Sequence, residues 1–561
     1  MHSLIDTSVI VIFSVFIMLV GLSFSRTGRN LKSFFAGGAS VPWTIGGLSL
    51  FMSFFSAGTF VAWGAIAYKH GLVAVVIQWT MCVGGLITGF FIAPKWKATG
   101  NLTAAEFIRE RLGEKVQKSF IFIFMLVSLF IKGSVLYSVA KLVGSSLGFP
   151  LVPVTVVLGI LMIAYTAVGG LWAVMVTDIL QFAILTSAVL LIIPLAFEEA
   201  GGVQTFLSKV PDSFFAPVNG EYSWGFIFAF AIYHVFYIGG NWTFVQRYTS
   251  VDTPKSASRV AYLFATLYII SPVLWMLPPM IYQSINPGLT GLDTENAYLM
   301  VCRQVLPAGL MGLILTGMYF STSASANTAL NVVSAVFTND IYKARINPGA
   351  TEGQLMKIAR NSSWLFGMGM IIIALIVPYI GGIVEFTLSV GAITGGPLLA
   401  PPIWALFSKR ITGRSTIWIT LISLAVNLVF KMILPWLADY KLSRANEMLL
   451  GVGLPVILLA IYELYAAGIG RVSEEYTAMK ERQAVRKREA VSIDEMELIQ
   501  VRRQNKYGLK VISFSLMFIA ILLFALCLFT AKGTAMVAGI AGIILLSSLI
   551  PFRAARKLKG I

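Results

Sequence analysis

The sequence predicts an all-α polytopic membrane protein, and three observations carry that expectation. Of the 561 residues, 57% are hydrophobic and only 12% are charged, with a mean hydropathy of +0.82, which excludes an ordinary soluble globule. About fifteen apolar stretches reach the roughly 20 residues that a membrane-crossing helix needs. Two of those stretches, far apart in the chain, are interrupted by small polar residues at what would be membrane depth.

The stretches lie near 5–25, 43–67, 71–94, 118–147, 150–168, 173–197, 224–245, 260–284, 303–340, 360–380, 382–407, 415–436, 446–469, 508–530 and 534–552. No basic residue precedes the first one, whereas Arg26, Arg29 and Lys32 follow it. A secretory signal carries its charge first, so this stretch reads as an uncleaved helix with its N-terminus outside. Alternation from that start places Lys95, Lys97, Arg109, Arg111, Arg247, Lys255, Arg259, Lys343, Arg345, Lys409, Arg410 and Arg414 in internal loops. The basic stretch 471–506 and the tail with Arg553, Arg556, Lys557 and Lys559 also fall inside, while 198–222 and 285–300 outside are acidic or neutral. The positive-inside rule is satisfied throughout, with a cytoplasmic C-terminus. The net charge of +17 therefore belongs to cytoplasmic loops facing a lipid bilayer. Nucleic acid is excluded as a partner, since no basic, aromatic-interleaved domain exists to bind it.

Residues 43–67 read WTIGGLSLFMSFFSAGTFVAWGAIA and are interrupted by Ser53, Ser56, Gly58 and Thr59. Residues 224–247 read WGFIFAFAIYHVFYIGGNWTFVQR and are interrupted by Gly239, Gly240, Asn241 and Thr243. Irregular backbone at this depth is tolerated only where it is buried in protein or lines a cavity. A matched pair of such breaks points to the solute site of a secondary transporter. Small residues around 84–88 suit close helix packing.

In the stretch 303–340, the run STSASANTALNVVSAVFTNDIY (321–342) is dense in hydroxyls and amides. Such groups glue membrane helices together, and they also serve as oxygen ligands for sodium. Asp178 is the clearest intramembrane acid, and a carboxylate at that depth is costly enough to be functional by default. Lys132 and Lys141 lie in 118–147; Lys132 falls mid-span, where it either pairs with Asp178 or faces a solute. Glu385 sits near the outer end of its stretch. His234 reads as a packing residue, and the three cysteines and three histidines lack metal-ligand spacing. No nucleotide-binding or hydrolase motif is present, so neither an enzyme nor an organic cofactor is expected. The acceptor patterns at Asn101, Asn241 and Asn361 fall inside or within the membrane and read as chance. Residues 471–507 alternate acidic and basic side chains, as in a solvated surface helix, and 508–561 add a helix pair and a basic tail.

LNVVSAVFTNDIYK (330–343), GGLWAVMVTDILQ (169–181), NWTFVQR (241–247) and SAGTF (56–60) resemble the sodium:solute symporter family, over roughly residues 1–470. That resemblance implies a leucine-transporter-like inverted repeat of five plus five helices across about 43–407, followed by extra helices at 415–469. Stretches 43–67 and 224–245 become the broken first and sixth core helices, and 303–340 the eighth. It further implies one sodium ion held by the carbonyls of Met52, Phe55 and Ser321 and by the Ser325 hydroxyl. Ala324 departs from the family, which commonly has Ser there. Asp178, Asn327 and Thr328 match positions that hold a second sodium ion in some members. The matching substrate residues are Thr59, Gln78, Asn241 and Phe244; a sugar-carrying relative has an amide in place of Thr59 and a carboxylate in place of Gln78.

The expected function is sodium-coupled import of a small polar organic solute, with a sugar or sugar-derived compound favoured. It would proceed by alternating access in a single chain, with Na⁺ as the coupling ion. Ala324 keeps open a proton-coupled or facilitative carrier of an amino acid or carboxylate. A transporter-like sensor is a third reading. Ser325→Ala is expected to raise the half-saturation of transport for sodium; an unchanged value removes Ser325 from the ion's ligand shell.

Overall fold

The computed structural model describes residues 4–23, 41–101, 103–164, 171–307, 309–489, 495–529 and 533–558. Within them every regular element is helical, because lipid offers no partner for an open strand edge. Helix α1 (Leu4–Ser23) precedes the first interrupted stretch, which forms α2 (Trp43–Met52) and α3 (Gly64–His70) joined by a bend and a π-turn at Thr59–Trp63. Helix α4 (Leu72–Ile87) runs on through another π-turn to Ala98. Next come the amphipathic α5 (Ala104–Leu112), capped by Thr103, and the long α6 (Glu114–Leu147), α7 (Leu151–Ala164) and α8 (Leu171–Glu199).

The second interrupted stretch forms α9 (Trp224–Gly240) and α10 (Trp242–Thr249), hinged at Asn241. It is followed by α11 (Pro254–Ile285), α12 (Ala297–Val305), α13 (Leu310–Val336), α14 (Glu352–Ile376) and α15 (Gly382–Phe407). The last helices are α16 (Gly413–Leu428), α17 (Arg444–Gly468), α18 (Glu474–Glu489), α19 (Glu495–Leu526) and α20 (Thr534–Lys557). Among the described residues, ten helices are long and apolar enough to cross a membrane. The halves of the interrupted stretches fall short individually because each break divides one crossing in two. Helix α19 starts well before the apolar stretch at 508–530, since no Gly or Pro interrupts residues 495–507.

The helices sort into two layers. In one, α4 packs on α9 and α11, and α11 on α2. In the other, α6, α7, α13 and α14 pack on one another. Helix α8 touches α2 and α11 on one side and α13 on the other; α15 likewise spans from α9 to α6. Both broken helices therefore belong to the first layer, and the hydroxyl-rich α13 belongs to the second. Helices α1, α8, α19 and α20 share a separate apolar cluster behind α13.

Close approach is built with glycine. A Cβ on Gly84 would stand 2.9 Å from the His234 carbonyl carbon, so α4 and α9 meet backbone to backbone, as the small residues near 84–88 suggest. Between α15 and α17, a Cβ on Gly451 would collide with the Ala392 carbonyl oxygen. At the His70 end of the bundle, Arg444 pairs with Glu221 at 2.8 Å and with Glu385 at 3.0 Å. Lys431 bridges Glu385 and Glu447 at 3.0 and 2.9 Å. His70 and Arg444 pull the Glu221 carboxyl down to about 2. Glu385 thus belongs to a network tying helix ends together.

Gly451→Leu is expected to cost about 1–3 kcal/mol by overpacking and to lower the melting temperature of the purified protein. Gly453→Leu, on the same helix with nothing within 4 Å of its Cβ position, is expected to leave it unchanged.

Candidate solute and ion site

Where α2 unwinds, its last backbone groups need partners. Ser53 N–H donates to Ser49 O at 2.9 Å, and Phe55 N–H to Met52 O at 2.9 Å, which tightens the final turn. Beyond it the partners come from α13. The Ser321 hydroxyl donates to Phe55 O at 2.7 Å, and Ala57 N–H donates to the Thr322 hydroxyl at 3.1 Å. Thr59 closes the break locally, donating to Phe54 O at 3.1 Å and accepting from Ser56 N–H at 3.3 Å. Ser321 and Thr322 are buried, so each bond stands in for water that cannot reach the site.

Phe55 and Ser321, two of the three expected carbonyl ligands of sodium, thus meet where the break after α2 runs against α13, and Met52, the third, accepts from Phe55 N–H at the end of α2. A carbonyl oxygen has two lone pairs, so those of Met52 and Phe55 retain acceptor capacity after the bonds described. The C-terminal end of α2 also carries the negative pole of its dipole. Both features suit a cation. The side chains of Ser325, Asn327 and Thr328 lie outside the described residues.

Asp178 is buried on α8, against Ser49 of α2 and Arg247 of α10. The Ser49 hydroxyl donates to Asp178 Oδ2 at 2.6 Å. Arg247 Nη2 lies 3.8 Å from the same oxygen, its Nε donates to Ser49 Oγ at 3.3 Å, and its Nη1 to Thr243 O at 2.9 Å. The acid's counter-charge is therefore Arg247. The sequence reading placed Arg247 in an internal loop; the structure leaves it only 3% exposed. The cause is Asn241, whose Oδ1 accepts from Thr243 N–H at 3.1 Å and starts the short helix that carries Arg247 back into the bundle.

Between the two breaks, α6 and α15 lies a cavity of about 180 Å³. Ser53, Ser56 and Thr59 enter its wall from the first break, Asn241 from the second and Lys132 from α6. Tyr233 and Tyr237 supply aromatic surface from α9. Of the expected substrate residues, Thr59 and Asn241 reach this wall; Gln78 and Phe244 do not. On α4 the wall position is taken by Met81, one turn beyond Gln78. Gln78 is buried, and its amide nitrogen has no hydrogen-bond partner. Phe244 stacks behind Phe54 with ring centroids 4.3 Å apart. His234 is held by Thr80, Nδ1 to Oγ1 at 2.7 Å, as a packing residue should be, although its side also lines the cavity.

A second clamp closes the opposite end of the bundle. Glu295 accepts from Lys141 at 2.5 Å and from the Tyr137 hydroxyl at 2.8 Å. Its other oxygen accepts from Ile383 N–H at 2.9 Å, capping α15. Sequence reasoning counted Glu295 as one residue of an acidic loop. Its nearest signal was Lys141 inside an apolar helix, which needed an acid from elsewhere.

A family model for the sodium:solute symporter family matches residues 34–423. The chain belongs to the sodium:solute symporter family. It is 28% identical to solute carrier family 5 member 4B of Mus musculus, over 76% of this chain and 71% of that one. It is 29% identical to sodium/glucose cotransporter 1 of Mus musculus, over 74% and 69%, and 26% identical to the sodium/glucose cotransporter of Vibrio parahaemolyticus, over 74% and 83%. In fold it is similar to a Na⁺-coupled sialic acid symporter in a substrate-bound outward-open state, with a TM-score of 0.68 and 22% identity, covering 83% of this chain and 98% of that one. Inward-facing Mhp1 follows with a TM-score of 0.52 and 14% identity, over 79% and 95%. The leucine-transporter-like architecture read from the sequence stands, and the symporter family is one of transporters rather than enzymes.

Removing Arg247 would leave a buried carboxylate unpaired. Arg247→Met is expected to destabilise the protein by about 3–5 kcal/mol, and Asp178→Asn in the same chain to recover much of that loss in a melting experiment. Asp178→Asn alone is expected to slow solute uptake more than it lowers the melting temperature; normal uptake by that variant contradicts a functional role.

Proposed function

We propose that this chain is a sodium-coupled symporter that imports a small polar organic solute, with a sugar or sugar-derived compound as the favoured cargo, by alternating access. The observation that carries the reading is the first break, bonded through Phe55 and Ala57 to α13, beside a cavity walled by both broken helices. Sodium sits there on the carbonyls of Met52, Phe55 and Ser321 and the hydroxyl of Ser325. Solute sits in the adjoining cavity with Thr59 and Asn241. Gln78 and Phe244 act from behind the wall, on its shape and polarity.

The N-terminus lies outside and the C-terminus in the cytoplasm. In that orientation the Glu295 clamp guards the outer mouth and the Asp178–Ser49–Arg247 clamp the inner one. An ion at the first break ties the layer containing the broken helices to the layer containing α13, and each clamp opens in turn. A second sodium ion at Asp178, with Asn327 and Thr328, requires Arg247 to withdraw from the carboxylate. The membrane potential adds about 2.3 kcal/mol per net charge per 100 mV. One chain contains the whole site, so a monomer suffices. Ala324, which offers no hydroxyl, supports proton-coupled or facilitative transport as the second reading.

Purified protein in liposomes would be given an inward sodium gradient or choline, and uptake would be measured for a panel of sugars, sugar acids, amino acids and carboxylates. Uptake above equilibrium with sodium alone is the expected result. Equal uptake in choline overturns sodium coupling and leaves a proton-driven or facilitative carrier.

A further inference from the structure

We propose that a groove at the inner ends of α16 and α17 binds one anionic phospholipid of the inner leaflet. The groove has a volume of about 640 Å³ and lies between the first turns of α16, the last turns of α17 and the lead-in to α18. It shares no residue with the central cavity. Its placement in the inner leaflet rests on the orientation proposed above; the site itself does not. The order of chemistry along both helices is the order that a lipid presents. On α16, Arg414, Trp418 and Ile422 follow at four-residue intervals, so they form one stripe from the helix start toward the bilayer centre. On α17, Tyr465, Tyr462 and Leu458 run the same way from the helix end, with Arg471 just beyond it. Each stripe passes from a guanidinium through aromatic rings to an aliphatic side chain. Aromatic rings belong at the membrane interface, with cations outside it and aliphatic groups within.

Charge complementarity selects the headgroup. Arg414 and Arg471 line the groove with no ion-pair partner among the described residues. At the outer end of the same two helices, by contrast, Lys431 and Arg444 are both tied to carboxylates. The two acids in the groove wall are engaged elsewhere. Glu475 accepts from the Ser473 hydroxyl at 2.5 Å, and that hydroxyl in turn accepts from Arg111 at 3.5 Å. Glu474 opens α18, where the positive pole of the helix stabilises an acid. The groove is left with an excess of positive charge beside lipid. A phosphate meets a planar guanidinium through two parallel hydrogen bonds, and basic pockets between membrane helices on the cytoplasmic side suit anionic headgroups. The backbone that carries both arginines is fixed in place. Arg111 is fully buried and donates to Ile411 O at 3.1 Å and Ser408 O at 2.8 Å, with the Tyr476 ring 5.2 Å from its guanidinium. Ser473 N–H donates to Lys409 O at 3.0 Å. The turn before α16 and the start of α18 are thereby pinned together, so Arg414 and Arg471 flank one preformed opening. The acyl chains of the lipid lie over Ile422, Leu458 and Ile461, and its headgroup bridges α16, α17 and the lead-in to α18.

Native mass spectrometry of the full-length protein in detergent tests the site, with phosphatidylglycerol, phosphatidylethanolamine or phosphatidylcholine of matched acyl chains added in turn. One phosphatidylglycerol per chain is expected to stay bound, roughly tenfold or more tighter than either zwitterionic lipid. Replacing both arginines, Arg414→Gln with Arg471→Gln, is expected to lose about 30-fold of that affinity. Trp418→Ala is expected to weaken all three lipids, and Lys441→Gln, at the outer end, to change nothing. A photoreactive phosphatidylglycerol on the unaltered protein is a second readout that needs no variant, and its crosslinks are expected within residues 414–422 and 458–465. Either zwitterionic lipid binding as tightly, full binding by the double variant, or crosslinks confined to other helices would each overturn the assignment. Displacement of the lipid by inorganic phosphate at equal concentration would overturn it in favour of a soluble anion. None of these readouts uses transport, so the outcome is independent of the solute and ion assignments.

Discussion

A backbone that unwinds in the middle of a membrane must find partners for the groups it exposes, and here it finds them on a helix of the opposite layer. Phe55 O and Ala57 N–H are completed by the Ser321 and Thr322 hydroxyls. Remove those bonds and the break becomes a set of buried unsatisfied groups, each costing several kcal/mol. The bonds also decide where sodium would be felt. They lie between the layer that carries both broken helices and the layer that carries α13, so any ion drawn to Met52 and Phe55 acts on the same joint. The cavity opens beside that joint, with Ser53, Ser56 and Thr59 of the same break in its wall.

Buried charge sets the second constraint. Asp178 and Arg247 are too costly to leave alone at this depth, so α8, α2 and α10 are drawn together through Ser49. Glu295 does the same at the other end for α6 and α15, taking Lys141, Tyr137 and the Ile383 amide in the first turn of α15. Each clamp joins an element from one layer to an element from elsewhere, and each consists of polar contacts that water could replace. Apolar packing gives the layers their rigidity, while these exchangeable contacts hold the mouths.

Much of this was legible in the chain because lipid penalises exceptions. Ser53, Ser56 and Gly58, or Gly239 and Asn241, have no business in an apolar crossing unless the helix breaks there, and the structure breaks at both. Asp178 was legible for the same reason. Its partners were not: Ser49 and Arg247 lie 129 and 69 residues away along the chain, and residue spacing carries no register between distant helices. Arg247 was misread because a basic residue at the end of an apolar stretch usually marks a loop, whereas here Asn241 restarts a helix and turns it inward. Gln78 and Phe244 show the limit of position-by-position matching. One helical turn separates Gln78 from Met81, which reaches the cavity, and one stacked ring separates Phe244 from it. Lys132 was placed in the cavity wall by its depth in the helix, and the structure puts it there.

The most direct test of the joint between the first break and α13 is hydrogen–deuterium exchange of the protein in lipid nanodiscs, compared in sodium and in choline. If sodium binds where the break is stitched to α13, amides in residues 53–59 and in the facing turn around Ser321 will exchange more slowly in sodium, while α19 and α20 stay the same. Identical exchange at the break in both ions would contradict the account, because an ion that leaves those amides untouched is not bound at that joint.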